Sequence, residues 1–179
     1  MKRALLIWIF LAALVGLWAF SDLIFPPERI VAAVAKVKDG DTLVVATKTF
    51  RLSGIDAPEY HQLCKDAKGN DWPCGKAARS QLEAYVLSGS IVCTPRAIDR
   101  YGRKVAICAS ATVPDLGEAM VQAGLAVSPA ERGSAAYGDA EAQARAAKRG
   151  LWQGSFDTPA DYRVLHPRGT ALPPRDDNP

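Results

Sequence analysis

The chain has 179 residues, 49% of them hydrophobic and 23% charged, and its 22 basic and 19 acidic side chains leave a formal charge of +3. That composition excludes wholesale disorder, collagen-like structure and a polytopic membrane protein. Without residues 1–21 the balance is 20 basic to 19 acidic groups, so any basic surface for a nucleic acid has to be local.

Ala4 to Phe20 is a run of 17 uncharged, largely apolar residues preceded by Lys2 and Arg3. A spanning helix needs about 20 apolar residues, with a lower limit near 17. Residues 1–25 therefore read as a membrane anchor inserted through residues 4–25, or as a signal peptide cleaved near Ala19-Phe20-Ser21. Either way, the remainder is expected to cross the cytoplasmic membrane of a bacterium and face the periplasm or the outside. Residues 26–29, with Pro26 and Pro27, read as a stiff linker.

A domain over residues 30–165 follows. Ile30–Lys38, Thr42–Ala46 and Thr49–Ile55 are short apolar or alternating runs with turn residues between them, the pattern of a strand meander. In residues 75–88, Ala78, Leu82, Tyr85 and Val86 recur at helical spacing, and Gly89 is placed to end the helix. Ser90–Thr94 and Arg103–Ala109 predict two more strands. Asp115, with Glu118 three residues on, predicts a capped helix up to Gly124, and an Ala-rich helix is expected over 138–149. Five strands with helices inserted late point to an α+β, mainly β fold: a small, partly open OB-type barrel with about three helices, behind an N-terminal hydrophobic helix. Residues 166–179 hold four prolines and little apolar material, and read as a disordered tail.

The four cysteines are an even number in a chain routed to an oxidising compartment, which favours two disulfides. Of three connectivities, Cys64–Cys74 and Cys93–Cys108 is preferred: the first closes a Gly/Asn/Pro-containing loop, and the second joins two strand-like segments linked by a turn. The rival is a zinc site using His61, but there is no C-x-x-C pair and the other histidine, His166, lies in the tail.

Three polar clusters carry chemistry: Asp39-Gly40-Asp41-Thr42, Arg51 with Asp56-Ala57-Pro58-Glu59, and Asp99-Arg100-Tyr101-Gly102-Arg103. Singly, each reads as a turn, a loop or a hairpin tip. Together they supply hard oxygen ligands for calcium or magnesium, guanidinium forks for a phosphate and a carboxylate to activate water.

In this order the clusters, with Phe50-Arg51-Leu52 between the first two, resemble the staphylococcal nuclease (thermonuclease) family. Met120 to Ala126, Tyr137, Glu141, Ala142 and Gly150-Leu151-Trp152 extend the likeness, which covers residues 30 to about 153. The resemblance implies one calcium ion held by Asp41, Asp56 and the backbone carbonyl of Ala57, with Asp39 nearby. It implies Glu59 as general base or orienter of the attacking water, Arg51 and Arg103 as the grip on the scissile phosphate, and Tyr101 as a nucleotide contact. The implied activity is calcium-dependent endonuclease or phosphodiesterase hydrolysis of DNA and RNA; separately, the low net charge disfavours tight duplex binding, so single strands are the expected substrate. The alternative is a non-catalytic nucleic-acid-binding module on the same barrel. Tyr60 to Cys74 departs from the family's lysine-rich loop, so substrate preference is not carried over.

Overall fold

A computed structural model describes residues 2–19, 28–33, 35–87, 89–131 and 134–167. Most of the expected tail, residues 168–179, and Pro26 and Pro27 of the expected linker lie outside the described residues.

Helix α1 spans Lys2–Ala19, and its large apolar side chains from Ile7 to Leu17 are exposed. Among the described residues, no helix is long and apolar enough to cross a membrane. The strands that follow are β1 (Ile30–Ala32), β2 (Ala35–Val37), β3 (Thr42–Val45), β4 (Lys48–Leu52), β5 (Cys64–Lys65), β6 (Asp71–Trp72), β7 (Ile91–Ile98), β8 (Lys104–Ala109), β9 (Ala130–Glu131) and β10 (Ser134–Ala135). Among the described residues, the further helices are α2 (Cys74–Val86), α3 (Leu116–Gln122), α4 (Gly138–Ala146) and α5 (Pro159–Leu165), with a 3-10 turn at Gly150–Gln153.

Six strands form one mixed sheet in the order β1-β7-β8-β4-β3-β2. The run Ile30–Lys38, expected as a single strand, is two: β1 pairs with β7 and β2 pairs with β3, both antiparallel. Consecutive strands therefore form opposite edges of the sheet. Three Cα steps join Ala32 to Ala35, a reach of at most about 11 Å, so the sheet has to curl back on itself. The result is an OB-like α+β half-barrel, with one more strand in the main sheet than the sequence predicts.

The curl is filled by Leu43, Phe50, Leu52, Ile91 and Met120, all buried. Alternation on β4 buries Phe50 and Leu52 and turns Arg51 to the other face. β7 runs past the expected end at Thr94 through Pro95, because a register shift between Pro95 and Ala97 removes the need for a proline N–H in the ladder. The helix expected over 138–149 stops at Ala146: Lys148 takes a left-handed φ of 51°, and the Arg149 N–H turns back to Ala144 O at 3.0 Å. Asp115 caps α3 as expected, accepting from the Gly117 and Glu118 amides. The sequence reading has no counterpart to α5, nor to the two small hairpins β5–β6 and β9–β10.

Both preferred disulfides are present. Cys93 and Cys108 face each other in the β7–β8 register, and Cys64–Cys74 ties β5 to the first residue of α2. No cysteine is free, which leaves the zinc reading without a thiolate.

Candidate active site

The Asp39-Gly40-Asp41 turn delivers a carboxylate to the sheet's outer face just before β3. Asp41 is buried, and its carboxylate accepts from Thr42 Oγ1 at 2.8 Å and from the Ala57 amide at 3.3 Å. Asp39 Oδ1 accepts the Asp41 N–H at 3.2 Å, bracing the turn. Opposite Asp41, past the end of β4, Asp56 is also buried, and a bridge to Val127 fixes its backbone.

Arg51 joins the two acids. Thr42 and Arg51 face each other in the β3–β4 register, which carries the guanidinium to the end of the sheet where both carboxylates lie. Nη1 donates to Asp41 Oδ2 at 2.7 Å and Nη2 to Asp56 Oδ1 at 2.8 Å. Burial pushes the Asp41 carboxyl up to about 7; Arg51 opposes this, and neighbouring Asp39 and Asp56 add to it. Partial burial depresses the Arg51 pKa, but Asp41 and Asp56 outweigh that and raise it.

Glu59 sits three residues beyond Asp56, and its backbone is held at both ends of the peptide. Its N–H donates to Gln62 Oε1 at 3.2 Å and its carbonyl accepts the Gln62 N–H at 2.8 Å. Gln62 is fully buried, and its Nε2 donates to Asp157 O at 2.8 Å. The sequence reading missed a third arginine. Arg163 on α5 donates to Asp56 Oδ2 at 2.8 Å through Nη2, and through Nη1 to Asp56 Oδ1 at 3.1 Å and Glu59 Oε1 at 3.2 Å. The hydrogen bonds and charge of Asp56, and then Glu59, raise the Arg163 pKa. Thr158-Pro159, a cap followed by proline, marks the start of α5 in the sequence, but nothing local marks Arg163 as a site residue.

Arg103 stands apart from this cluster. β4 and β8 run parallel with Arg51 beside Val105, and Arg103 lies one residue ahead of β8, two residues before Val105. Asp99 organises the hairpin: its carboxylate accepts the Tyr101 and Arg103 amides, each at 2.9 Å, and Arg103 Nε at 2.7 Å. Gly102 completes the turn at a φ of 76°. Tyr101 is exposed, with the Arg100 and Arg103 guanidiniums over its ring at 4.9 and 5.4 Å from the centroid.

Arg103 and Tyr101 border an open cleft of about 590 Å³ whose lining also includes Lys38, Lys48, Lys104, Asp39 and Thr42, the β3 partner of Arg51. Four cations and one ring there provide the local basic surface that net charge does not. Glu28 bridges Lys48 and Lys104 at 3.1 and 2.8 Å from the cleft's edge.

Among the described residues, no group of three or more His, Cys, Asp or Glu side chains is arranged to hold a metal. The donor types nevertheless fit a hard cation: the buried Asp41 and Asp56 carboxylates flank one guanidinium, Arg51, which supplies the positive charge between them, and the Ala57 peptide is hydrogen-bonded to Asp41.

The fold and site define an OB-like half-barrel carrying acids and arginines beside a cationic cleft. The family model described as "Staphylococcal nuclease homologue" matches residues 49–154. The chain is 35% identical over 131 residues to "Succinoglycan biosynthesis protein ExoI" of Rhizobium meliloti, which covers 73% of this chain and 69% of that protein. It is 32% identical over 135 residues to "Probable endonuclease LCL3" of Debaryomyces hansenii, covering 69% of this chain and 56% of the relative. For "Probable endonuclease lcl3" of Botryotinia fuckeliana the identity is 30% over 142 residues, covering 72% and 52%. The chain belongs to the staphylococcal nuclease homologue family, and spans just over half the length of these probable endonucleases.

Proposed function

We propose that the chain is a calcium-dependent endonuclease or phosphodiesterase acting on DNA and RNA, with single strands preferred. The observation that carries this reading is the row of side chains Arg51, Asp56, Arg163 and Glu59, with Thr42, the β3 partner of Arg51, on the wall of a cationic cleft. Lys38, Lys48 and Lys104 would draw in the phosphate backbone, and exposed Tyr101 would stack against a base, a contact each base can make. Arg103 would hold the scissile phosphate on one side and Arg51 on the other, opposing the negative charge that grows on its non-bridging oxygens. Glu59 would take a proton from the attacking water. Asp41, Asp56 and the Ala57 carbonyl would hold the calcium ion, which supplies Lewis acidity at the phosphate when bound.

Residues 4–25 are read as a membrane anchor or an export signal. Support comes from Lys2 and Arg3 ahead of the apolar run, the exposed apolar side chains of α1, and two disulfides that suit an oxidising compartment.

The test is hydrolysis of heat-denatured DNA and of RNA with calcium and with a chelator, alongside Glu59→Gln. Calcium-dependent cleavage that collapses in the variant is expected. Binding without cleavage, undisturbed by chelation or by the variant, would move the barrel to the non-catalytic nucleic-acid-binding class.

A further inference from the structure

Arg163 lies outside the segment that the family match covers, which ends at residue 154, yet it reaches the centre of the site. Its Nη1 lies 3.1 Å from Asp56 Oδ1 and 3.2 Å from Glu59 Oε1, so one nitrogen spans two carboxylates that would otherwise repel. Nη2 takes the other Asp56 oxygen at 2.8 Å. With Arg51 on Asp41 and Asp56, the side chains form a line of alternating sign: Asp41, Arg51, Asp56, Arg163, Glu59.

The helix that bears Arg163 is also tied to the Glu59 backbone. Gln62 donates to Asp157 O just ahead of α5 and accepts the Glu59 N–H. Thr158 caps α5 by accepting the Asp161 amide at 3.1 Å. The segment thus grips Glu59 twice, through Gln62 at the main chain and through Arg163 at the carboxylate.

We propose that Arg163 is a positioning residue for Glu59: its guanidinium bridges Asp56 and Glu59 and fixes the Glu59 carboxylate in the orientation that meets the attacking water. This rests on Glu59 acting on that water, as proposed above. The bridge needs a planar fork. A lysine ammonium supplies the charge without the paired geometry.

The experiment uses the full chain with Arg163→Gln, Arg163→Lys, Glu59→Gln and the double variant Glu59→Gln/Arg163→Gln. It measures kcat and KM on heat-denatured DNA, calcium affinity by calorimetry and the melting temperature. Arg163→Gln is expected to lower kcat tenfold or more, with KM within twofold and calcium bound at least as tightly, because a nearby positive charge has been removed. Arg163→Lys should recover only part of the loss. In the Glu59→Gln background, Arg163→Gln should add less than threefold, since the residue it positions is already disabled.

Four results overturn the proposal: an unchanged kcat, a raised kcat, a raised KM at constant kcat, or equal losses with and without Glu59. The second would make Arg163 an obstruction, and the third a substrate contact. A wild-type chain that does not cleave refutes the nuclease reading and this inference with it, whereas an active wild type with an unaffected Arg163→Gln refutes the inference alone.

Discussion

Gly75 at the start of α2 packs its α-carbon against the main chain of Glu59: a β-carbon there would stand 1.8 Å from the Glu59 carbonyl oxygen and 2.8 Å from its carbon. The oxygen has little room to withdraw, because it accepts the Gln62 N–H at 2.8 Å and the Gly75 N–H is bonded to Gln62 O at 3.2 Å. Helix and loop therefore meet backbone to backbone. Gly75→Ala should cost about 1–3 kcal/mol of stability by overpacking and lower turnover by displacing Glu59. Denaturant unfolding and steady-state kinetics on the same preparation check both; an alanine variant with wild-type kcat would show that Glu59 tolerates the shift.

The two disulfides should separate stability from activity. Cys64–Cys74 closes a sequence separation of 10 that begins two residues after Gln62 and five after Glu59, while Cys93–Cys108 crosses two neighbouring strands within the core. Replacing either pair with alanines should cost about 2–4 kcal/mol. Only loss of Cys64–Cys74 should also lower kcat, by loosening the loop that orients Glu59. Activity measured well below each variant's melting temperature tests this, and equal kcat losses in both would count against it.

The three polar clusters were legible in the sequence because each is a local turn with its own chemistry: Asp39-Gly40-Asp41, Asp56 to Glu59, and Asp99 to Arg103. Asp115 was legible for the same reason, as a cap with Glu118 three residues on. The division of Ile30–Lys38 into two strands was not, because nothing in a continuous apolar run records that its halves pair with different partners. The strand expected to end at Thr94 continues through Pro95, because a bulge accommodates the proline. Gln62 and Arg163 were beyond reach for a different reason. Their partners lie 95 and 107 residues away, and only the completed fold puts the end of α5 against the loop after β4.

Asp115 serves two elements at once. Its Oδ1 accepts the Gly117 amide at 2.9 Å and the Glu118 amide at 3.2 Å, and its Oδ2 accepts the Tyr137 hydroxyl at 2.9 Å. The carboxylate thus fastens the start of α3 to the residue before α4. Asp115→Ala should cost about 1–2 kcal/mol through the lost cap, and Tyr137→Phe about 1 kcal/mol through the lost hydrogen bond. Because both act through one carboxylate, the double variant should lose less than the sum of the two. Urea unfolding of the three variants measures the coupling; strict additivity would mean that the hydroxyl contributes nothing through Asp115.

Arg103 depends on Asp99 for its place. Partial desolvation raises the Asp99 pKa, but hydrogen bonds from the Arg103 amide and side chain and from the Tyr101 amide outweigh it and hold the carboxyl below its ordinary value of 3.8. A carboxylate with a depressed pKa stabilises the hairpin above the unfolded value, and that contribution disappears as the pH falls through the folded one. The Tyr101 and Arg103 amide shifts should therefore move together as the pH falls, with a midpoint below 3.8. Asp99→Asn, which keeps an acceptor but removes the charge, should weaken the hold on Arg103 and reduce cleavage several-fold under the proposed nuclease activity. A midpoint at or above 3.8, or amide shifts that titrate independently of each other, would remove Asp99 as the organiser of this arginine.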